Sequence, residues 1–222
     1  MKAMILAAGR GQRMGGLTAN TPKPLLTVKG QSLLENKIEL LKQAGIVDLV
    51  INVAYLGEQI QQFAGDGSRW QVNIQYSVEP EPLETGGGIY RALPLLGDSP
   101  FLAINADIWC DYPLQTLANY LLPKNTLGYL VMVDNPRQHQ QGDFQLADDG
   151  LLVVANGSEN TLTFSGIAIY HPDFIRTYPN RRERFQLLEV YQYWIAKQQL
   201  RGEYYQGVWN DIGTPERLAS VN

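Results

Sequence analysis

Ala3 to Ala8, AMILAA, is an unbroken apolar run that ends directly in Gly9. A run of that kind, with no polar alternation, reads as a strand covered on both faces, the habit of parallel sheets flanked by helices. The rest of the first half repeats the theme. Ser32 precedes a helical pattern with Leu34, Ile38 and Leu41 on one face, closed by Gly45. Val47 to Val53 reads as a buried strand, followed by a helix around Glu58 to Ala64, a strand around Val72 to Ser77, a helix from Gly88 to Leu96 and a strand from Phe101 to Asn105. Strands alternating with helices predict an α/β fold, a mainly parallel sheet sandwiched by helices.

The second half changes character. Leu127 to Asp134, Asp143 to Leu146, Leu151 to Ala155 and Leu162 to Tyr170 read as strands, with Asp149-Gly150 as a hairpin turn. Helices are expected near Phe174 and from Gln186 to Gln199, and a strand near Val208, so this half reads as a small, partly antiparallel addition. With 45% hydrophobic side chains over 222 residues, the chain can bury the core of one domain, 1–222, divided into halves at 1–110 and 111–222.

A formal net charge of -4 gives no general basic field, so neither nucleic acid nor an anionic membrane is an expected partner. Any anion must be held by local charge. Cys110 is the single cysteine and cannot form an internal disulfide. The first apolar run is too short for a signal-peptide core, and no stretch has the length of a membrane span. A soluble, cytoplasmic protein is the expectation.

In an open α/β sheet, ligands sit outside the carboxyl ends of the strands where strand order reverses. The stretches that follow strands are therefore the informative ones: Gly9 to Leu25, Asn105 to Asp107, and Asn210 to Gly213. GRGQRMGG, Gly9 to Gly16, begins like a dinucleotide fingerprint, but Met14 stands where the third glycine belongs, and Pro22 and Pro24 oppose an immediate long helix. A Walker A lysine motif is absent too. Two readings remain, a tight turn or a loop aiming backbone N–H groups at an anion. Arg13, together with Lys23 fenced between two prolines, favours a phosphate site.

LAAGRGQRM (Leu6 to Met14) followed by TPKPL (Thr21 to Leu25) resembles the signature of the sugar-phosphate nucleotidyltransferases. EPLETGGGI (Glu81 to Ile89), NAD (Asn105 to Asp107) and WNDIGT (Trp209 to Thr214) extend the resemblance over most of the chain. It implies a Rossmann-like fold whose first half binds nucleotide and whose second half binds sugar phosphate. VDNP (Val133 to Pro136), GDF (Gly142 to Phe144) and TLTFSGI (Thr161 to Ile167) are most similar to members that transfer UMP from UTP to N-acetylmuramic acid 1-phosphate, in cell-wall recycling. Other hexose-1-phosphate nucleotidyltransferases, guanylyl, uridylyl or thymidylyl, are the alternative. A non-catalytic nucleotide-sugar sensor is a second one.

The implied reaction suits these residue types. A phosphate already anionic attacks a second phosphate, so no general base is needed, and catalysis is positioning and charge neutralisation. By resemblance, Arg13 would stabilise departing pyrophosphate and Lys23 would bridge the α-phosphate and the incoming sugar phosphate. Asp107 and Asp211 would bind Mg²⁺, which takes one or two protein carboxylates plus phosphate oxygens and water. Taken singly, each aspartate is more often a turn or cap residue; together, within the matched motifs, they read as metal ligands. The nucleotide would be held by Ala8, Gly9, Gly11 and Gln12, with Gly86 and Gly87 reading the base edge and Asn105 meeting the ribose or the metal.

For the sugar, the lactyl carboxylate of muramic acid wants a cation or donor, and Arg137, His139 and Asp143 are the candidates, with an exposed loop as the other reading of that stretch. His171 reads as structural, and Trp209 as a wall of the sugar site. Three departures stand out: Gly16 where many relatives have Pro, Ala106 where Gly is common, and no Glu-Lys-Pro motif, its place being taken by Val154-Ala155-Asn156-Gly157. Since the chain stops shortly after WNDIGT, a monomer is expected.

Overall fold

The computed structural model describes residues 1–155 and 160–222; Asn156 and Gly157 of the departing segment lie outside the described residues. Its main sheet has seven strands: β1 Lys2–Leu6, β2 Asp48–Val53, β3 Asn73–Val78, β4 Phe101–Asn105, β5 Gly128–Val133, β6 Thr163–Tyr170 and β7 Leu200–Tyr204. Their spatial order is β7-β5-β6-β4-β1-β2-β3. Only β6 runs antiparallel to its neighbours β4 and β5; the remaining pairings are parallel.

The helices are α1 Leu33–Gln43, α2 Gly57–Ala64, α3 Glu84–Leu96, the short α4 Gln115–Ala118 and α5 Asp173–Arg176, then α6 Leu187–Ile195 and α7 Pro215–Val221. They cover both faces. Ala3 and Ile5 of β1 pack with Leu34, Ile38 and Leu41 of α1 and Ile60 of α2. Met4, on the opposite face, packs with Ile89 and Ala92 of α3, Phe174 of α5 and Trp194 of α6. Both faces of β1 are therefore core, which is why its sequence shows no alternation. Among the described residues no helix is long and apolar enough to cross a membrane.

Local signals explain most boundaries. The Ser32 hydroxyl accepts a hydrogen bond from the Glu35 backbone N–H at 3.1 Å and caps α1, and Gly45 leaves it at φ +79°. Gln186 and Glu189 form a reciprocal cap at the start of α6. At Asp149-Gly150 the Gly150 N–H meets Ala147 O at 2.8 Å and turns the hairpin between Phe144–Leu146 and Leu152–Val154. His171 accepts from the Asp173 N–H at 3.2 Å where α5 begins, a structural role.

Two helix boundaries are corrected, and the main sheet gains a strand. The partly antiparallel second half joins the main sheet: β5, β6 and β7 continue it, with β6 antiparallel, while the 144–154 hairpin and the strand at Trp209–Asp211 pair outside it. The strand expected near Val208 is the short one at Trp209–Asp211, and before it Leu200–Tyr204 adds an unforeseen edge strand to the main sheet. Helix α6 ends at Ile195, and Gln198 at φ +56° turns the chain so that Leu200 can pair with Gly128.

The other boundary is that of α3, which starts at Glu84 and not at Gly88, so Gly86, Gly87 and Gly88 lie inside the helix and buried. Tertiary packing overrides their poor helix propensity. A Cβ at Gly86 would lie 2.6 Å from the Phe185 ring, and one at Gly87 only 2.3 Å from Glu183 O. The glycines are a seat for the 183–185 segment. Gly87→Ala is expected to destabilise the protein by about 1–3 kcal/mol, as overpacking against backbone does, read as a lower urea midpoint with an unchanged slope.

Candidate active site

From β1 the chain moves outward to β2 and β3 on one side, and α3 then carries it back to β4 on the other side of β1. Strand order reverses there. A cleft of about 880 Å³ opens at this point, floored by residues 6–13, which follow β1, and by Asn105, Ala106 and Asp107 at the end of β4.

The glycine loop is anchored on its lysine. Gly11 adopts φ +63°, and a Cβ there would sit 3.1 Å from the side chains of Lys23 and Thr18. The Thr18 hydroxyl donates to Gly11 O at 3.0 Å, and the Tyr55 hydroxyl reaches Thr18 O at 3.1 Å. Arg10 lies 5.8 Å from the centre of the Tyr55 ring, which leaves Arg13 exposed on the loop and facing the cleft. Lys23 is buried up to its tip, and its Nζ contacts a carboxylate oxygen of Asp107, 84 residues away in sequence.

A two-stranded ladder brings the second aspartate alongside. Asp211 pairs opposite Ile108, and the Ile212 N–H donates to Asp107 O at 2.8 Å. The Asp211 carboxylate accepts from Arg217 of α7 at 2.6 Å. Each aspartate thus has a cationic partner on one carboxylate oxygen. Ala106 replaces glycine without crowding the cleft, because its methyl group is buried in the core. Trp209 donates from its indole to Ser165 O at 2.8 Å and so braces β6, where Gly166 at φ +85° makes room for Asn105.

Ala8, Gly9, Gly11, Gln12, Arg13, Lys23, Asn105 and Asp107 line the cleft; Asp211 stands beside it, where its neighbour Gly213 lines the wall. Gly86 and Gly87 do not. They are covered by Phe185 and Glu183, and the wall at that end is made by Glu81, Pro82, Glu84 and Thr85. Arg137, His139 and Asp143 also lie off the cleft. His139 pairs with Asp143 at 3.0 Å and Asp143 accepts from the Phe164 N–H at 2.8 Å, so this pair secures the start of β6, while Arg137 is exposed.

Two buried residues escape sequence reasoning. Asn52 at the end of β2 accepts from the Ala7 N–H at 2.9 Å and donates to Glu79 at 2.7 Å; Glu79 also accepts from the Leu83 N–H at 3.0 Å. Both line the cleft. Burial pushes the Glu79 carboxyl above its usual range, against the pull of these donors. The available signal was a polar residue at the carboxyl end of an apolar strand, LVINV, and another just beyond β3. Arg184, the third cleft residue unforeseen, carried no local signal.

Behind the aspartates, Lys37 of α1 is fully buried, with its Nζ 2.6 Å from Asn36 Oδ1 and 5.8 Å from the centre of the Trp109 ring. Burial lowers its pKa to about 8, although Cys110 and Asp107 oppose the shift. Cys110 is pushed up to about 11 by burial, so its thiol is inert at neutral pH. Unfolded Lys37 would hold its proton up to its ordinary value of 10.5 and folded Lys37 only to about 8. Stability owed to this group therefore rises with pH across that window. Lys37→Met is expected to be more stable than wild type at pH 7, by up to about 3 kcal/mol, with the advantage shrinking from pH 8 towards pH 10.5 in urea titrations.

A family model described as nucleotidyl transferase matches residues 2–222. An N-acetylmuramate alpha-1-phosphate uridylyltransferase from Neisseria meningitidis serogroup B is 44% identical, covering 98% of this chain and 95% of that protein. A mannose-1-phosphate guanyltransferase from Hypocrea jecorina is 29% identical over 99% of this chain, which spans 63% of that protein. Among solved structures, one from Bacillus anthracis superposes with a TM-score of 0.88 at 19% identity, covering 100% of this chain and 94% of its own. HddC from Yersinia pseudotuberculosis, complexed with GMP-PN, gives a TM-score of 0.80 at 22% identity, covering 99% and 97%. At such identities the two structures speak to the fold alone.

Proposed function

The chain belongs to the nucleotidyl transferase family, and from that premise we propose that it transfers UMP from UTP to N-acetylmuramic acid 1-phosphate, giving UDP-N-acetylmuramic acid and pyrophosphate. The observation that carries the chemistry is the contact of Lys23 with Asp107 across the crevice between β1 and β4. The full-length relative that acts on this sugar phosphate supports the choice of substrate.

An oxygen of the sugar phosphate attacks the α-phosphorus of UTP, and pyrophosphate leaves in line. The nucleophile is already ionised, so the protein need only hold two anions together. Lys23, stiffened by Pro22 and Pro24, places a compact positive charge where the two phosphates meet. Arg13 stands further along the loop to steady the leaving pyrophosphate, and the backbone of residues 8–12 cradles the triphosphate. Glu79, oriented by Asn52 and the Leu83 N–H, can accept from the N3–H of uracil, and Asn105 faces the ribose.

Asp107 and Asp211 suit Mg²⁺. Asp211 pairs with Ile108 in a two-stranded ladder and Asp107 directly precedes Ile108; no cluster of three or more acidic, His or Cys ligands is found among the described residues, so substrate oxygens and water would complete the shell. When bound, the ion withdraws charge from the α-phosphate. In this reading residues 1–110 serve mainly the nucleotide and 111–222 the sugar phosphate, and the protein acts as a cytoplasmic monomer in the recycling of cell-wall sugars.

Purified protein given UTP, Mg²⁺ and a panel of sugar 1-phosphates is expected to form UDP-N-acetylmuramic acid fastest, by mass spectrometry. Turnover confined to glucose or mannose 1-phosphate would refute the sugar assignment, and nucleotide binding without pyrophosphate release would make the protein a sensor. Lys23→Met is expected to lower kcat/KM by about 10²–10³-fold, the scale on which a lost electrostatic donor acts, and Asp107→Asn to weaken Mn²⁺ binding measured by electron paramagnetic resonance.

A further inference from the structure

Of the charged side chains that line the cleft, Arg184 is the one supplied by the second half of the chain, among the described residues. Of the other cations in the lining, Lys23 meets Asp107 and Arg10 lies over Tyr55, and the proposed reaction uses Arg13 for the pyrophosphate. Arg184 reaches the cleft because its segment is locked on α3. Phe185 is buried, its N–H donates to Leu83 O at 3.3 Å, and its carbonyl accepts from the Gly87 N–H at 3.2 Å.

The segment carries two other arginines, neither of which lines the cleft. Arg182 makes two hydrogen bonds to the Glu189 carboxylate, at 2.7 and 3.0 Å, and Arg181 donates to Tyr178 O at 3.1 Å. Arg184 differs. Its side chain is 65% exposed, and one amino group meets Glu84 at 3.2 Å. An exposed ion pair held by one hydrogen bond is weak and readily exchanged. Guanidinium has five donors in a planar fork that matches a carboxylate, so most of its capacity is left for a ligand. Glu84 is itself held at φ +61°, a conformation that side chains seldom adopt, at the point where the cleft wall becomes helix.

We infer that Arg184 binds the lactyl carboxylate of the muramic acid unit and so selects this sugar phosphate over N-acetylglucosamine 1-phosphate, which lacks that group. The inference rests on the substrate reading above. Glu84 holds the guanidinium at the cleft mouth until the substrate carboxylate arrives. Arg137 and His139, the cations that the sequence offered for this task, lie off the cleft.

The test compares kcat/KM for the two sugar phosphates in wild type, Arg184→Met and Arg181→Met. Wild type is expected to prefer the muramic acid substrate, Arg184→Met to lose at least tenfold of that preference through KM, and Arg181→Met to keep it. Melting temperatures check that both variants fold. An unchanged preference in Arg184→Met overturns the inference. An equal loss for both sugars also overturns it, because it assigns Arg184 to the phosphate they share. A wild-type protein with no preference for the muramic acid substrate overturns the substrate reading, and the lactyl assignment with it.

Discussion

Two anions must be brought into contact, and the structure answers that constraint with the pairing of Lys23 and Asp107. The lysine comes from the loop after β1 and the aspartate from the end of β4, so their contact closes the crevice that strand reversal opens. Gly11 packs on the lysine stem, the ladder from Asp107 carries Asp211, and α7 brings Arg217 to that second carboxylate. Small apolar contacts support the arrangement from behind, with Val28, Leu33 and Ile212 forming a satellite core against Trp109 and Leu218.

The opposite end of the cleft is built from buried polar groups. Asn52 and Glu79 tie the first residues after β1 to the start of α3 by hydrogen bonds, and Gly88 lets the helix approach them, since a Cβ there would lie 2.7 Å from Glu79. A half-satisfied network at this site would cost more than an apolar one, and here the buried amide and carboxylate are both paired, which fixes this end of the cleft.

The sheet was legible because its strands are covered on both faces, and apolar runs such as MIL and LAI leave no other reading. The motif loops were legible because glycine, proline and charge occur together at positions that follow strands. Contacts between distant segments were not. Gly86 and Gly87 looked like a ligand loop because sequence cannot show that Glu183 and Phe185 occupy the space above them. The same blindness hid Arg184, which reaches the cleft because its segment is seated on α3. Leu200–Tyr204 was missed because Arg201, Glu203 and Tyr204 break its apolar pattern at the sheet edge.

The pairing of each aspartate with its own cation also bears on how the site meets ions. Lys23 and Arg217 each meet an internal carboxylate, so the charges at this end of the cleft are balanced within the protein. Any ion or phosphate that enters there exchanges against a partner tethered in place.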